Sequence, residues 1–341
     1  MRRYLRNESG MILMIALWAL GLLAVFALYL GAGARQKIIL LSRMENRDIL
    51  SFAAESGIKK AVTYLNMQDV SRGLSATLKE SLMNNKKEFK DIVLDRATFD
   101  VRYKDFDKTF TKTTFHYGMM DEERKININM ASQQELARLF QYVLGWEQEK
   151  AEGLALSVVD WRELGESVLS GFFSDEYYEN LKYPYQPKND KFETLDELLL
   201  VEGVTPFAFD RLRSFITIYG EGKVNVNTAP WQVFVALGIN EGVADKILSV
   251  RRGPDGKEAT GDDNIFSSFE SFFTSIGKDD SLSESEGRHI ALLLDQGKIG
   301  IYSRYYMIES NSELSFLPQK KSIRCVYDAA SHKIIYWSEG L

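Results

Sequence analysis

Residues 11–34 read MILMIALWALGLLAVFALYLGAGA, twenty-four consecutive positions without a charged side chain. At about 1.5 Å per residue a helix of that length rises about 36 Å, enough to cross a hydrocarbon core of about 30 Å. Ahead of it stands MRRYLRNESG, with Arg2, Arg3 and Arg6, and behind it come Arg35 and Lys37. A cleaved secretory signal has a shorter apolar core that ends in a small-residue cleavage site. Here the run passes directly into RQKIILLSRMENRDILSFAAESGIKKAVTYL (35–65), which is charged but still helix-compatible. The stretch therefore predicts one long, retained N-terminal helix, with its basic leader on the cytoplasmic side of a membrane. Gly21, Ala24, Gly31 and Gly33 are small enough to let another helix approach closely.

The rest of the chain has ordinary globular composition, 45% apolar and 26% charged over 341 residues. The net charge of -6 supplies no global basic field for nucleic acid. Cys325 is the single cysteine, so no intrachain disulfide can form. His116, His289 and His332 lie far apart without metal-ligand spacing, and no nucleophile elbow, phosphate loop or zinc signature occurs. Glu55 and Asp48 read as a solvated helix face, and Tyr177, Tyr178, Tyr183 and Tyr185 as core. These features point away from an enzyme.

Two segments share one grammar. Residues 125–163 open KININMAS and residues 223–252 open KVNVNTAP. Each gives a short strand with Asn-x-Asn, a helix, a glycine turn, and a second helix ending near an arginine. Ser132 and Thr228 are expected helix caps, with Glu135 completing a capping box and Pro230 in the first turn. Glu193–Leu212 (ETLDELLLVEGVTPFAFDRL) reads as a third, partial copy. The same grammar occurs in helix-hairpin-helix DNA-binding modules, including membrane-anchored receptors of competence or type IV pilus systems, which makes DNA binding the alternative function. Such hairpins offer backbone amides to phosphate from a Gly-x-Gly turn. The turns here, Leu144-Gly145-Trp146-Glu147 and Gly238-Ile239-Asn240-Glu241-Gly242, lack it and carry glutamates.

Alternating segments at Ala97–Tyr103, Lys112–Tyr117, Ile299–Ser310, Lys321–Tyr327 and Lys333–Trp337 predict antiparallel strands, with a hairpin turn at Ala329–His332. The expected class is α+β.

The N-terminus resembles a type IV prepilin leader, because a short basic segment ends in Gly10 directly before the apolar helix at Met11. Between the two copies, Asp160-Trp161-Arg162-Glu163, Asp175-Glu176-Tyr177-Tyr178, Tyr185-Gln186-Pro187-Lys188-Asn189, Leu195-Asp196-Glu197-Leu198 and Val201-Glu202-Gly203 follow in order, then Val224 to Pro230. This series is similar to the K family of type II secretion minor pseudopilins. That family lacks the glutamate usual at the fifth mature position of pilins, here Ile15, and carries a Leu-Trp pair, here Leu17 and Trp18. The later acids of its Asp-Trp-x-Asp-x-Asp motif are replaced here by Glu163-Leu164-Gly165.

The resemblance implies a long N-terminal helix on an antiparallel sheet, with a large inserted all-α, SAM-like or helix-hairpin-helix-like domain. The corresponding division is a leader (1–10), a membrane and filament-core helix (11–34), the first part of a pilin-like domain (35–125), the insertion (126–298) and the closing strands (299–341). It implies cleavage after Gly10 by prepilin peptidase, methylation of Met11, and a single-pass place in a bacterial inner membrane with the globular part in the periplasm. The expected partners are I- and J-type minor pseudopilins and the major pseudopilin, and no nucleic acid. The expected role is at the pseudopilus tip, where Ile15 has no charge to pair with a subunit above.

The loop Arg251–Asn264 (RRGPDGKEATGDDN) gathers Asp255, Asp262 and Asp263, with Glu258 and Asn264 nearby. Oxygen donors on a glycine-rich turn suit calcium, although the spacing is not that of an EF-hand. Relatives in the K family bind calcium in the helical domain, so these three aspartates are the expected ligands.

Overall fold

The computed structural model describes residues 8–67, 80–163, 174–277 and 282–340. The leader arginines and the Leu164-Gly165 departure lie outside these residues. Helix α1 (Glu8–Met67) is one continuous element about 90 Å long. About its first seven-tenths, before Leu50, is almost wholly exposed. From Leu50 onward the residues at Ala53, Ala54, Ile58, Ala61 and Leu65 are buried, spaced to form one helical face.

That face lies on an antiparallel sheet. After two short helices, α2 (Glu80–Met83) and α3 (Lys86–Phe89), come β1 (Ile92–Leu94), β2 (Ala97–Val101), the hairpin β3 (Tyr103–Phe106) and β4 (Thr113–His116), and β5 (Met120–Asp121). The chain ends in β10 (Tyr305–Leu314), β11 (Lys320–Asp328) and β12 (Lys333–Gly340). The sheet order is β1-β2-β10-β11-β12, with β5 also paired to β10. The side chains of β10 alternate. Ile308 joins Phe99, Val101, Ile323, Cys325 and Tyr327 under α1, while Met307 joins Met120, Val326 and Tyr103 on the opposite face. Gly57 sits where α1 presses on the sheet. A methyl group there would collide with Ser310 Oγ and lie 3.0 Å from Phe99 Cδ2.

Between β5 and β10 lies the helical region. It contains β6 (Ile126–Asn127), α4 (Gln133–Leu144), α5 (Gln148–Arg162), α6 (Ser174–Glu179), a 3-10 helix (Leu195–Leu200), α7 (Pro206–Leu212) and β7 (Ile216–Thr217). Then follow β8 (Val224–Asn225), α8 (Trp231–Ala236), α9 (Glu241–Arg251), α10 (Phe269–Ile276), α11 (Glu284–Asp295) and β9 (Ile299–Gly300). Strands β6 and β7 pair in parallel, as do β8 and β9. The region is therefore two complete copies of one unit, each beginning and ending on its own two-stranded parallel pair. This corrects the reading of Glu193–Leu212 as a third copy. It is the closing half of the first copy, and its counterpart is Phe266–Leu294.

The hydrogen bonds establish the equivalence. Asn129 accepts from Phe192 N (2.8 Å) and donates to Phe192 O (2.9 Å); Asn227 does the same with Phe266, at 2.8 and 3.0 Å. Arg162 donates to the carbonyls of Ile128 and Ala131, and Arg251 to those of Val226 and Ala229.

The capping box at Ser132 forms, with Ser132 N donating to Glu135 Oε2 at 2.6 Å. Thr228 does not cap α8. Pro230 occupies that position, and the Thr228 hydroxyl instead donates to Asp121 Oδ2 at 2.5 Å.

Candidate assembly surface and cation loop

Gly10, Met11, Ile15, Leu17 and Trp18 all lie on the exposed part of α1. Ile15 is 60% and Trp18 72% exposed, so nothing in the folded chain covers the position where a glutamate would stand. Gly21, Gly31 and Gly33 have open space around them, which leaves the backbone accessible to a neighbouring helix. Among the described residues, this is the helix long and apolar enough to cross a membrane, and none of its apolar span is buried in the protein.

The loop after α9 places its three aspartates differently from a cage. Asp262 Oδ2 accepts from Asp255 N at 3.0 Å and Asp262 Oδ1 from the Thr260 hydroxyl at 2.7 Å. Asp255 Oδ1 accepts from Lys257 N, and Asp263 Oδ2 from Thr260 N. The Thr260 hydroxyl and the Asp255 amide hold the Asp262 carboxyl below its ordinary range. Burial raises Asp263 to about 6. Its Oδ1 is buried without a partner. Glu258 is not a spare ligand. Burial alone would raise it, but Arg251 and Arg252 hold it at about 2, with Arg251 Nη2 2.6 Å away. Among the described residues no three His, Cys, Asp or Glu side chains converge as a metal cluster. As folded, the three carboxylates accept from the loop's own amides and from the Thr260 hydroxyl. Asp263 Oδ1 is the one feature of the loop that invites a cation.

The hairpin turns expected to meet phosphate in a DNA-binding protein are closed internally. Gly145 N donates to Gln141 O, Gly238 N to Val235 O and Ile239 N to Phe234 O. Gly242 N donates to Asn240 Oδ1. Those amides are not free for a ligand. Of the four tyrosines expected in the core, Tyr178 is fully buried, while Tyr177 is 40% and Tyr183 76% exposed.

One cluster went unread in the sequence. The run Asp121-Glu122-Glu123-Arg124-Lys125 joins the sheet to the helical region. Asp121 Oδ2 accepts from Ser303 Oγ (2.6 Å), Thr228 Oγ1 (2.5 Å) and Asn225 Nδ2 (3.1 Å). Burial raises its pKa. Glu122 pairs with buried Lys125 at 2.5 Å and accepts from Thr217 Oγ1 at 2.6 Å. Arg124 pairs with Asp105 of β3 at 3.2 Å. Glu123 accepts from Arg304 N, and burial raises it to about 7. The only sequence signal was five charged residues in a row, which resembles a solvated surface.

A long, projecting apolar helix on an antiparallel sheet, interrupted by a helical insertion, is a pseudopilin-type fold. A chain in the crystal structure of the GspK-GspI-GspJ complex from the enterotoxigenic Escherichia coli type 2 secretion system has this fold. It superposes with a TM-score of 0.60 at 14% identity, covering 88% of this chain and 98% of that one. Residues 118–221 match the family model of type II secretion system protein K. That match spans 104 of the 341 residues, and over them the chain is similar to that family. No curated protein sequence matches it.

Proposed function

We propose that this chain is a minor pseudopilin that caps the tip of the pseudopilus and initiates its assembly with I- and J-type siblings, above the major pseudopilin. One observation carries the reading. Strand β10 runs toward the N-terminal end of α1: Ser310 lies against Gly57, while two residues on Ser312 Oγ donates to Leu50 O at 2.8 Å. The start of β10, where the insertion joins, therefore lies at the end of the sheet farthest from the membrane span. Two helical units at that end obstruct addition of a subunit above, while the free faces of α1 stay open for siblings beside it. Ile15 supports the same reading, since it offers no carboxylate to the terminal amine of a subunit higher in the filament.

In this scheme prepilin peptidase cuts after Gly10 and Met11 is methylated. The helix stays in the inner membrane, the globular part stands in the periplasm, and the protein performs no catalytic step. A calcium ion at Asp255, Asp262 and Asp263 belongs to the proposal as well, supported by the unpartnered Asp263 Oδ1.

The test is co-expression of the full chain with its I and J siblings, followed by detergent extraction and gel filtration. A stable ternary complex is the expected result, and its absence refutes the assembly role. Submicromolar binding of duplex DNA that weakens steeply with salt would instead favour the DNA-receptor reading.

A further inference from the structure

The turn between β10 and β11, Ser315–Pro318, carries two apolar side chains into open space: Phe316 is 91% and Leu317 47% exposed. Phe316 is the most exposed large apolar side chain among the described residues. Scattered exposed apolar residues need no explanation, but one at a hairpin apex has lost nearly all packing.

The position of this apex along α1 follows from contacts. Leu314 packs with Leu50 and Ile49. Ser315 N donates to Arg96 O at 3.0 Å, and Arg96 Nη2 reaches Glu45 of α1 at 2.6 Å. The turn therefore stands level with Glu45 and points toward the span. From Ala34, the last uncharged residue, to Glu45 the helix rises about 17 Å. One or two further residues, at no more than about 3.3 Å each, bring Phe316 and Leu317 at most about 3–7 Å closer. That leaves at least about 10–14 Å. The headgroup layer fills about 5–7 Å of it, and a tilt of about 20°, common for membrane helices, lowers the sheet side further. The intervening stretch of α1 exposes Arg35, Lys37 and Arg43 against Glu45, an excess of positive charge suited to anionic headgroups.

We propose that Phe316 and Leu317 dock on the anionic surface of the bilayer as a second, interfacial contact beside the chain's own span. The docking rests on the reading of residues 11–34 as a membrane helix. It fixes the tilt and rotation of α1 before assembly, and lifting the subunit into a filament breaks it.

The full chain, reconstituted in vesicles of phosphatidylethanolamine and phosphatidylglycerol, provides the test. Cys325 is fully buried and does not compete for label. Nitroxide is placed singly through Phe316→Cys, Leu317→Cys, Leu23→Cys in the span, and Tyr183→Cys on the helical region. Electron paramagnetic resonance then measures collision with oxygen against a water-soluble nickel chelate. The expected result is an oxygen-to-nickel ratio several-fold higher at 316 and 317 than at 183, approaching that at 23. If 316 and 317 match 183 while 23 is lipid-buried, the docking is wrong and the span stands. If 23 is itself in water, the span reading falls and the docking with it. If 316 and 317 are shielded only after sibling pseudopilins are added, a neighbouring subunit covers the turn, and the docking is again wrong.

Discussion

Arg251 is the sharpest place to perturb the helical region. Its side chain is fully buried and donates to two carbonyls, Val226 O at 3.2 Å and Ala229 O at 2.7 Å, and to Glu258 at 2.6 Å. Arg251→Met fills much of the volume but strands two carbonyl acceptors and leaves Glu258 to Arg252 alone, 3.2 Å away. Removing one partner of a buried ion pair typically costs about 3–5 kcal/mol, and that is the expected loss. Arg162 holds the same two carbonyls in the first copy, but its partner Glu163 is half exposed, with a side-chain exposure of 52%. An exposed pair contributes about 0–1 kcal/mol, so Arg162→Met should cost mainly its carbonyl bonds, about 1.5–3 kcal/mol. Pulse proteolysis of the detergent-solubilised chain across a urea series reads both. A larger loss for Arg162→Met, or no loss for Arg251→Met, refutes the assignment of Arg251 as the charged centre of the second copy. The pH dependence has a definite sign. Glu258 has its folded pKa depressed to about 2 from an ordinary 4.5. Its contribution is complete above the ordinary value and is lost as pH falls from about 4.5 toward 2. Glu258→Gln should flatten the stability curve in that window.

Gly57→Ala should destabilise the helix–sheet contact by about 1–3 kcal/mol through overpacking against Ser310 and Phe99; Ser310→Ala in the same chain should recover part of the loss, and a neutral Gly57→Ala would mean that α1 can lift from the sheet. Mass spectrometry of membrane-extracted protein should find Met11, methylated, as the N-terminus, whereas an intact leader or a cut after Ala32 or Ala34 contradicts prepilin processing. Calcium at a hundredfold excess over its dissociation constant should stabilise the fold by about 2.7 kcal/mol, seen as a higher melting temperature than with chelator. Asp262→Asn with Asp263→Asn should remove most of that shift, and equal melting temperatures in calcium and chelator leave the loop as a turn closed by its own hydrogen bonds.

Local signals carried the sequence reading as far as local physics reaches. The uncharged run at 11–34 and the capping box at Ser132 involve neighbours in the chain, and both were legible. The repeated Asn-x-Asn with a terminal arginine was legible as a pattern, because each copy must satisfy the same backbone groups. What closes each copy was not. Strand β7 has two residues, too short for alternation to register, so the second half of the first copy read as a separate repeat; β9, equally short, read as the start of one antiparallel strand Ile299–Ser310, whereas it pairs in parallel with β8 and is separate from β10. Thr228 has the composition of a cap, but its hydroxyl serves Asp121, 107 positions earlier in the chain. No local rule anticipates such a partner. The charged run Asp121–Lys125 misleads for the same reason: charges usually face solvent unless paired, and here the pairing comes from Asp105, Asn225, Thr217 and Ser303.

The two copies share a hydrogen-bond frame yet differ at one equivalent position, and the difference explains how the insertion is held. Asn127 donates to the carbonyls of Tyr219 and Gly220 at the end of its own unit, both at 3.0 Å. Asn225 stands at the same place in the second copy and donates instead to Asp121 and Ser303, where the insertion joins the sheet. The second copy adds further ties to the β3–β4 hairpin. Gln232 donates to the carbonyls of Asp107 and Lys108, and Lys108 pairs with Asp245 at 3.0 Å while lying 4.0 Å over the Trp231 ring. The first copy meets the same hairpin through rings, with Phe215 against Phe106 and Phe110 and Arg211 over Phe110, and its polar tie nearby is Thr217 to Glu122. Among the described residues the second copy thus supplies most of the polar attachment of the insertion to the sheet. The first copy leaves Tyr177 and Tyr183 exposed. A duplicated unit divides the work: one copy spends its conserved-geometry asparagine on attachment, and its twin spends the equivalent side chain on closing itself.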